Sequence, residues 1–199
     1  PIVPVLGLFG ELNPWLSLKA RVSRNYRLPT LNDRFWLPGG NEDLLPESGW
    51  SEELTLIFQN SPSDFNYRFS VTGFNRNMNN WILWSIAEGQ SFWSANNVTK
   101  VWSRGVESRL KLNYQFKKIK LEWNGGYYWT RSTNQIALAF PNIPAGQQLF
   151  YTPIHQVNSG LNLTWKGLNL SYQHQYASAT VGFNENPEAY QIGNFQFNY

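Results

Sequence analysis

Two histidines are the side chains of this sequence best suited to act as an acid, a base or a metal ligand. Asn158 and Ser159 closely follow His155, but a serine-histidine site also needs an oriented third partner. His155 also comes just after Pro153, and the start of a strand would explain it equally well. The sequence therefore predicts no catalytic residues, and we expect the chain not to be an enzyme.

Metal ligands are equally sparse. Cysteine is missing from the sequence, which removes thiolate ligands and thiol nucleophiles. Glu42, Asp43 and Glu47 supply carboxylates within one predicted connection, but both histidines lie far from them in sequence. A metal centre needs ligands that converge, and this spacing does not indicate convergence. The sequence predicts no metal and no other cofactor.

Tryptophan is the residue type that points to ligand binding. Trp36, Trp81, Trp84 and Trp93 lie in or beside predicted long connections, where a ligand from outside would first arrive. Flat aromatic faces suit a planar macrocycle, an iron chelate or a sugar. The same four residues would also fit an aromatic belt at a membrane interface or loop-on-loop packing. We interpret them as candidate ligand contacts.

The composition narrows the possible fold classes of this chain. Of the 199 residues, 17% are aromatic, yet the mean hydropathy is −0.44. The aromatic content excludes a disordered chain, and no apolar run is long enough for a membrane-spanning helix. A net charge of +3, scattered along the chain, does not favour a nucleic-acid partner. Two classes remain, a soluble β-protein and a transmembrane β-barrel.

Alternation of apolar and polar residues is the dominant pattern. From residue 106 to residue 116, Val106, Leu110 and Phe116 share one parity, while Glu107 and Arg109 share the other. This spacing predicts a strand with one apolar and one strongly polar face. Similar segments occur at residues 2–9, 16–23, 53–59, 67–72, 119–131, 161–166, 168–173 and 194–199.

The sequence thus predicts an all-β chain, an antiparallel up-and-down meander of about nine strands. Asn124-Gly125-Gly126 is a hairpin signal in its own right, but the alternation continues through Trp129, which favours one continuous strand over 119–131. A short helix is predicted near residues 30–36, with Thr30 as its N-cap.

The connections between the predicted strands alternate between short and long. Residues 11–14, 60–65, 117–118 and 166–167 form the short ones, and residues 25–50, 84–97, 132–150 and 177–189 form the long ones. Short turns at one end and long loops at the other are typical of outer-membrane barrels. A soluble sandwich has no reason to segregate its loops in this way.

The polar parity of the strands predicts a charged lining of the barrel lumen. The residues predicted to line it are Lys19, Arg21, Arg68, Glu107, Arg109, Lys111, Lys120 and Glu122. We expect cross-strand ion pairs between Glu107, Arg109 or Lys111 and the neighbouring Lys120 or Glu122, and likewise between Glu53 and Arg68. The alternative is the solvated face of an ordinary open antiparallel sheet.

Four short motifs make the sequence more specific. They are Tyr26-Arg27-x-Pro29-Thr30, then Gly40-Asn41-x-x-Leu44-x-Pro46-Glu47, then Asn97-Val98 with Gly105 and Glu107, and finally Tyr151-x-Pro153-x-His155. In order and spacing they resemble segments of TonB-dependent outer-membrane receptors, most closely those for vitamin B12 and siderophores. In that family these positions have an architectural role at loop entries and strand starts, so we do not assign them to ligand contact.

The resemblance implies that residues 1–199 are one partial barrel segment of a 22-stranded outer-membrane barrel. It predicts an active transporter in the bacterial outer membrane, with a corrinoid or ferric chelate as cargo and outer-membrane lipid around it. Energy would come from TonB through a plug domain. The plug with its TonB box and the closing strands of the barrel have no counterpart in the sequence, so we expect them to lie outside this chain.

Two further expectations follow. The alternative function is that of a soluble, tryptophan-rich β-sandwich that binds carbohydrate through Trp36, Trp84 and Trp93, with a second sheet over the apolar faces. If the chain is instead a barrel segment, its two end strands have unpaired edges. We then expect either self-association through those edges or a smaller, rearranged closure of the sheet.

Overall fold

One antiparallel sheet makes up most of the chain. The computed structural model describes residues 2–60, 63–86, 89–138, 142–183 and 185–199, and at residues 98 and 99 it describes the backbone. Within these residues the strands are β1 (Val5–Asn13), β2 (Leu16–Arg27), β3 (Glu47–Gln59), β4 (Phe65–Ile86), β5 (Trp93–Phe116), β6 (Ile119–Asn134), β7 (His155–Trp165), β8 (Leu168–Ala177) and β9 (Tyr190–Asn198). They pair in chain order from β1 to β9. This confirms the predicted up-and-down meander of about nine strands.

The pairing register keeps the two faces of the sheet separate from strand to strand. Residues directly opposite each other point to the same face. Leu112 of β5 lies opposite Tyr67 of β4 and Trp123 of β6, and Trp123 lies opposite Leu161 of β7. One residue further along β5, Lys111 lies between Arg68 and Asn124. An apolar face and a polar face therefore extend across the sheet without exchanging sides.

The tight turns set this register. Lys166 and Gly167 join β7 to β8, and both have positive φ, +48° and +92°, as a type I′ turn requires. Lys117, with φ +51°, and Lys118 join β5 to β6. Pro14 and Trp15 join β1 to β2. The predicted short connections at residues 117–118 and 166–167 are confirmed, whereas the one predicted at 11–14 is wrong in its bounds, because β1 continues to Asn13. Residues 61 and 62 of the fourth one lie outside the described residues.

The predicted long connections differ from the structure in their bounds, and the one at residues 84–97 differs most. The strands β4 and β5 continue to Ile86 and begin at Trp93, so residues 84–97 are mostly strand. Their outer halves have loops packed on both sides, which leaves Ile82, Leu83 and Trp84 consecutive and apolar. A strand covered on both faces lacks the period of two that the sequence analysis relied on. Residues 28–46, 135–154 and 178–189 are the long connections at this same end.

The continuous strand and the short helix are both as predicted. Asn124, Gly125 and Gly126 lie inside β6, because they pair with β5 on one side and β7 on the other. The helix α1 (Leu31–Phe35) begins after Thr30, whose hydroxyl accepts a hydrogen bond from the backbone NH of Asp33, while the Asp33 carboxylate accepts one from the NH of Thr30. No helix in the described residues is long and apolar enough to cross a membrane.

The edges of the sheet are open. In the described chain β1 pairs with β2 alone and β9 with β8 alone, so the strands do not close into a smaller barrel. Every residue of β9 is exposed. Self-association of the isolated chain through these edges stays a prediction.

Candidate functional site

The polar face of the sheet carries all eight residues predicted as lining. Arg68 lies directly opposite Lys111, and Lys19 and Arg21 lie opposite Thr55 and Glu53. The same face carries Glu107 and Arg109 on β5 and Lys120 and Glu122 on β6. Their assignment to a barrel lumen remains a prediction.

The predicted cross-strand ion pairs are wrong. The two-residue turn at Lys117 and Lys118 sets Lys120 opposite Gln115 and Glu122 opposite Asn113. The ion pairs run along single strands instead, from Arg109 to Glu107 and from Lys120 to Glu122, each at 2.9 Å.

Glu53 also has a different partner from the one expected. It lies opposite Phe74 and pairs at 2.9 Å with Arg76, one step further along the same face of β4. Arg68 lies opposite Gln59 and donates to its Oε1 at 2.7 Å. The sequence predicted which face of the sheet these residues share. Their ion-pair and hydrogen-bond partners depend on the exact strand register, which the sequence did not predict.

The charge of this face is positive on balance. Arg68 has a neutral partner, and the Lys19 ammonium lies 5.6 Å from the ring centroid of Phe9. Within the described residues neither has a carboxylate within 4.0 Å. A shallow groove of about 460 Å³ lies over Lys19, Arg68 and Arg109. It offers cationic donors to an anionic or strongly polar group.

An ion-pair network with two buried carboxylates holds the first long loop against the sheet. Arg27 at the end of β2 donates to Asp33 at 3.1 Å and to Glu47 at 2.7 Å. Asp33 and Glu47 are only 6% and 3% exposed. We refer to these three residues as the loop anchor.

The loop anchor reaches β4 through both of its carboxylates. Glu47 accepts the backbone NH of Ile82 at 2.9 Å, and Asp33 accepts the indole NH of Trp84 at 2.9 Å. Burial opposes the charge of Asp33. Hydrogen bonds from Trp84 and Thr30 and the positive charge of Arg27 outweigh that effect and lower the pKa of the Asp33 carboxyl.

A small apolar core lies beside the loop anchor. Leu44 of the loop packs with Ile82 of β4 and Ala95 of β5, and Trp84 covers them. Trp84 is thus held by a hydrogen bond at one edge and by apolar contacts over its ring. This fixed position suits a structural residue.

Several family-motif residues close the same loop. Asn97 accepts the NH of Leu45 at 2.7 Å and donates to the carbonyl of Leu45 at 2.9 Å, and Asn41 donates to the Ala95 carbonyl at 3.3 Å. A Cβ at Gly40 would approach the Trp36 nitrogen to 2.6 Å. The loop therefore needs a glycine there and an amide at position 97.

Other motif residues lie around these contacts. Asn80 donates to the carbonyl of Pro46 at 3.3 Å. Pro29 is half-buried just before the helix cap. Tyr26 lines a groove with Trp81. The side chain of Val98 lies outside the described residues.

The last motif lies at the start of β7. The Tyr151 hydroxyl accepts the backbone NH of Phe183 at 3.3 Å, and the two rings are 6.1 Å apart. Pro153 is half-buried. His155 Nδ1 lies 2.8 Å from the Tyr127 hydroxyl. The first contact joins two long loops to each other, and the second joins the start of β7 to β6.

The sequence analysis missed an apolar pocket between these loops. Its volume is about 170 Å³, and its lining includes Trp81 and Leu83 of β4 with Phe150, Tyr151 and Phe183 of the loops. Phe150 and Phe183 lie 4.1 Å apart. Apolar residues clustered in otherwise polar loops were the signal that could have indicated it.

The four candidate tryptophans do not share one site. Trp81 lines the apolar pocket, whereas Trp84 belongs with the loop anchor. Trp36 is 57% exposed after α1. Trp93 meets the Phe183 ring edge-on at 5.2 Å. Trp81 is the one best placed for ligand contact, and ligand contact at all four stays a prediction.

Neither histidine has the geometry of a catalytic group. His155 contacts Tyr127, and His174 Nδ1 lies 3.2 Å from the hydroxyl of Tyr172. Within the described part of the chain no three histidine or acidic side chains come together as a metal site.

The sheet has the architecture of a β-barrel wall, with one face polar, the other apolar and its long loops at one end. The family described as TonB dependent receptor-like, beta-barrel matches residues 3–199. The chain belongs to this family of TonB-dependent receptor barrels. The family match does not favour the soluble carbohydrate-binding alternative.

One relative by sequence and one solved structure are consistent with this family assignment. The vitamin B12 transporter BtuB of Photobacterium profundum is 26% identical over 95 residues, which cover 46% of this chain and 15% of that protein. Among solved structures, the copper transporter OprC matches with a TM-score of 0.72 at 13% identity, over 96% of this chain and 30% of its own.

Two further solved structures share the fold. The FrpB iron transporter from Neisseria meningitidis matches with a TM-score of 0.65 at 12% identity, over 97% of this chain and 31% of its own. The siderophore receptor PirA from Acinetobacter baumannii matches with a TM-score of 0.66 at 16% identity, over 99% and 34%. The chain thus spans about a third of the length of the solved proteins that it matches.

Proposed function

We propose that the chain is part of the barrel wall of an outer-membrane active transporter that takes up a corrinoid or a ferric chelate. The observation that carries the proposal is that the strand register keeps a mainly apolar face and a mainly polar face on the same sides of the sheet from β1 to β9. A membrane-spanning barrel needs lipid on one face and a polar lumen on the other.

The height of the apolar face supports a membrane-spanning role. On β5 the apolar parity runs from Phe116 to Val106, and on β6 it runs from Ile119 to Trp129. Each span matches the roughly 9–11 residues that a tilted strand needs to cross a bilayer. Leu54 and Tyr114 on this face are 52% and 41% exposed. Such side chains favour lipid contact over water.

The remaining parts of the proposal rest on the family. Energy would arrive from TonB through a plug domain carried by the longer protein. The lining residues and the loop pocket would face the lumen and the outside, where cargo passes. The proposal includes no catalytic step, no metal or cofactor and no nucleic-acid partner.

A charge on the apolar face tests the membrane assignment. Leu110→Arg in the full-length receptor is expected to destabilise the barrel by about 2–4 kcal/mol, because it places a guanidinium near the bilayer midplane. Asn158→Arg, at similar depth on the polar face, should have little effect. Urea unfolding in lipid vesicles measures both. Equal losses in the two variants would contradict a lipid-facing side.

Ligand titration tests the transport assignment. The intact receptor, titrated with cyanocobalamin and with a ferric siderophore, is expected to bind one of the two, and Trp81→Ala should weaken that binding at least about tenfold because an aromatic contact in a desolvated pocket is lost. Trp165→Ala is the matched control, because Trp165 is exposed at the end of β7 away from the long loops. Binding of neither ligand by a correctly assembled receptor would refute the cargo class.

A further inference from the structure

Two arginines lie directly opposite each other just beyond the apolar face. Arg104 of β5 is the next residue of apolar parity after Val106, and Arg131 of β6 is the next after Trp129. They form one cross-strand pair, so their Cβ atoms are about 5 Å apart. They lie toward the end of the sheet that bears the long loops.

The pair has no compensating charge. Like charges directly opposite each other destabilise a sheet. Within the described residues neither guanidinium has a carboxylate within 4.0 Å. The carboxylate in this row is Glu52, two strands from Arg104, and it accepts a hydrogen bond from the intervening Asn75 at 3.1 Å.

Arg104 is oriented, whereas Arg131 is exposed. The Arg104 guanidinium stacks 3.6 Å from the ring centroid of Trp102, and its Nη1 donates weakly to Thr133 Oγ1 at 3.3 Å. The stacking holds the guanidinium plane, while its Nε and Nη2 find no acceptor in the described part of the chain. Arg131 is exposed beside it. Both side chains therefore have donors available to an external anion.

A shallow groove crosses the strands on the apolar face beside Arg104. It measures about 570 Å³ and runs over Leu54, Gly73 and Trp129, with Arg104 and Glu52 on its side toward the long loops. Gly73 has open space where a side chain would be. An acyl chain could lie in such a groove with its charged headgroup at the arginines.

We propose that Arg104 and Arg131 bind the phosphate of a membrane lipid whose acyl chain occupies the groove over Gly73. This inference rests on the proposed membrane function. Two guanidiniums match the near-dianionic charge of a phosphate monoester, and arginine binds phosphate through paired N–H donors. The bound phosphate would turn a repulsive arginine pair into an attractive site at the outer rim of the barrel.

Lipid titration tests this site. The full-length receptor in neutral detergent is titrated with lipid A, an acylated glucosamine disaccharide with phosphate monoesters, and binding is counted by native mass spectrometry. The double variant Arg104→Gln/Arg131→Gln is expected to bind at least about tenfold more weakly. Lys118→Gln, at the opposite end of the same hairpin, is the matched control and should bind normally.

Two further arms identify the source of the phosphate. Dephosphorylated lipid A should bind the wild type as weakly as lipid A binds the double variant, and millimolar inorganic phosphate should not displace lipid A. Equal binding of lipid A by the wild type and the double variant, equal binding of the dephosphorylated lipid, or displacement by inorganic phosphate would each overturn the proposal.

Fractionation separates this outcome from the proposed function. All variants should assemble in the outer membrane, because the substitutions lie at its rim. A wild-type receptor found outside that membrane would refute the membrane function, while a membrane-inserted receptor without phosphate-dependent binding would refute the lipid site alone.

Discussion

Replacing Asp33 with alanine is expected to free the first long loop from the β4–β5 hairpin while the sheet still assembles. The substitution removes the acceptor for the Trp84 indole NH and the Thr30 NH, and it removes one of the two carboxylates bound by Arg27. Both donors are at least partly shielded by the loop, and leaving a shielded donor unpaired costs up to about 1–3 kcal/mol. We therefore expect the loop, residues 28–46, to be destabilised by about 2–4 kcal/mol.

Limited proteolysis of the full-length receptor measures this effect, because a released loop is cut before the barrel is. Asp43→Ala is the matched control, since Asp43 is an exposed carboxylate in the same loop. The expected result is rapid cleavage within residues 28–46 for Asp33→Ala and a wild-type rate for Asp43→Ala. Identical rates for the two variants would show that the loop anchor does not hold the loop.

The same anchor predicts a pH dependence. The pKa of Asp33 is lowered in the folded protein, so its carboxylate contributes full stability above the unfolded value of about 4. That contribution is lost as the pH falls through the folded pKa. Loop cleavage by an acid-stable protease should rise below about pH 4 in the wild type. Asp33→Asn should show a flatter profile, and a wild-type profile for it would count against the mechanism.

The sheet was predictable from sequence because its physics is local and repetitive. Lipid or solvent on one side and polar groups on the other impose a period of two on each strand. The two-residue turn at Lys166 and Gly167 then fixes how neighbouring strands align. Gly125 and Gly126 also matched a hairpin signal, but the alternation of apolar and polar residues kept the same parity on both sides of them. The prediction of one continuous strand was therefore right.

The loops were less predictable because their partners are distant in sequence. Asp33 meets Trp84, which is 51 residues away, and Asn97 meets Leu45, which is 52 residues away. The predicted ion pairs on the polar face were wrong for a related reason, because a shift of one or two residues in strand register changes every cross-strand partner. Glu53 thus pairs with Arg76 and not with Arg68. Motif resemblance indicated that the loop residues matter, but not which contacts they make.

Two glycines on neighbouring strands are expected to respond in opposite ways to substitution by alanine, because one is tightly packed and the other has open space beside it. A Cβ at Gly105 of β5 would lie 2.2 Å from the Trp129 carbonyl oxygen and 2.7 Å from the Phe74 ring, whereas a Cβ at Gly73 of β4 would have nothing within 4 Å. Gly105→Ala must therefore push β6 or Phe74 away, and we expect it to lower the free energy of unfolding by at least about 2 kcal/mol.

Gly73→Ala should be neutral or stabilising by up to about 1 kcal/mol, because alanine loses less backbone entropy on folding. Urea unfolding of the refolded receptor in vesicles compares the two variants at neighbouring positions of one hairpin. Equal stability would mean that β5 and β6 can separate locally at no cost. That result would be inconsistent with a continuous pairing of β5 and β6 through Gly105, on which the separation of the two faces depends.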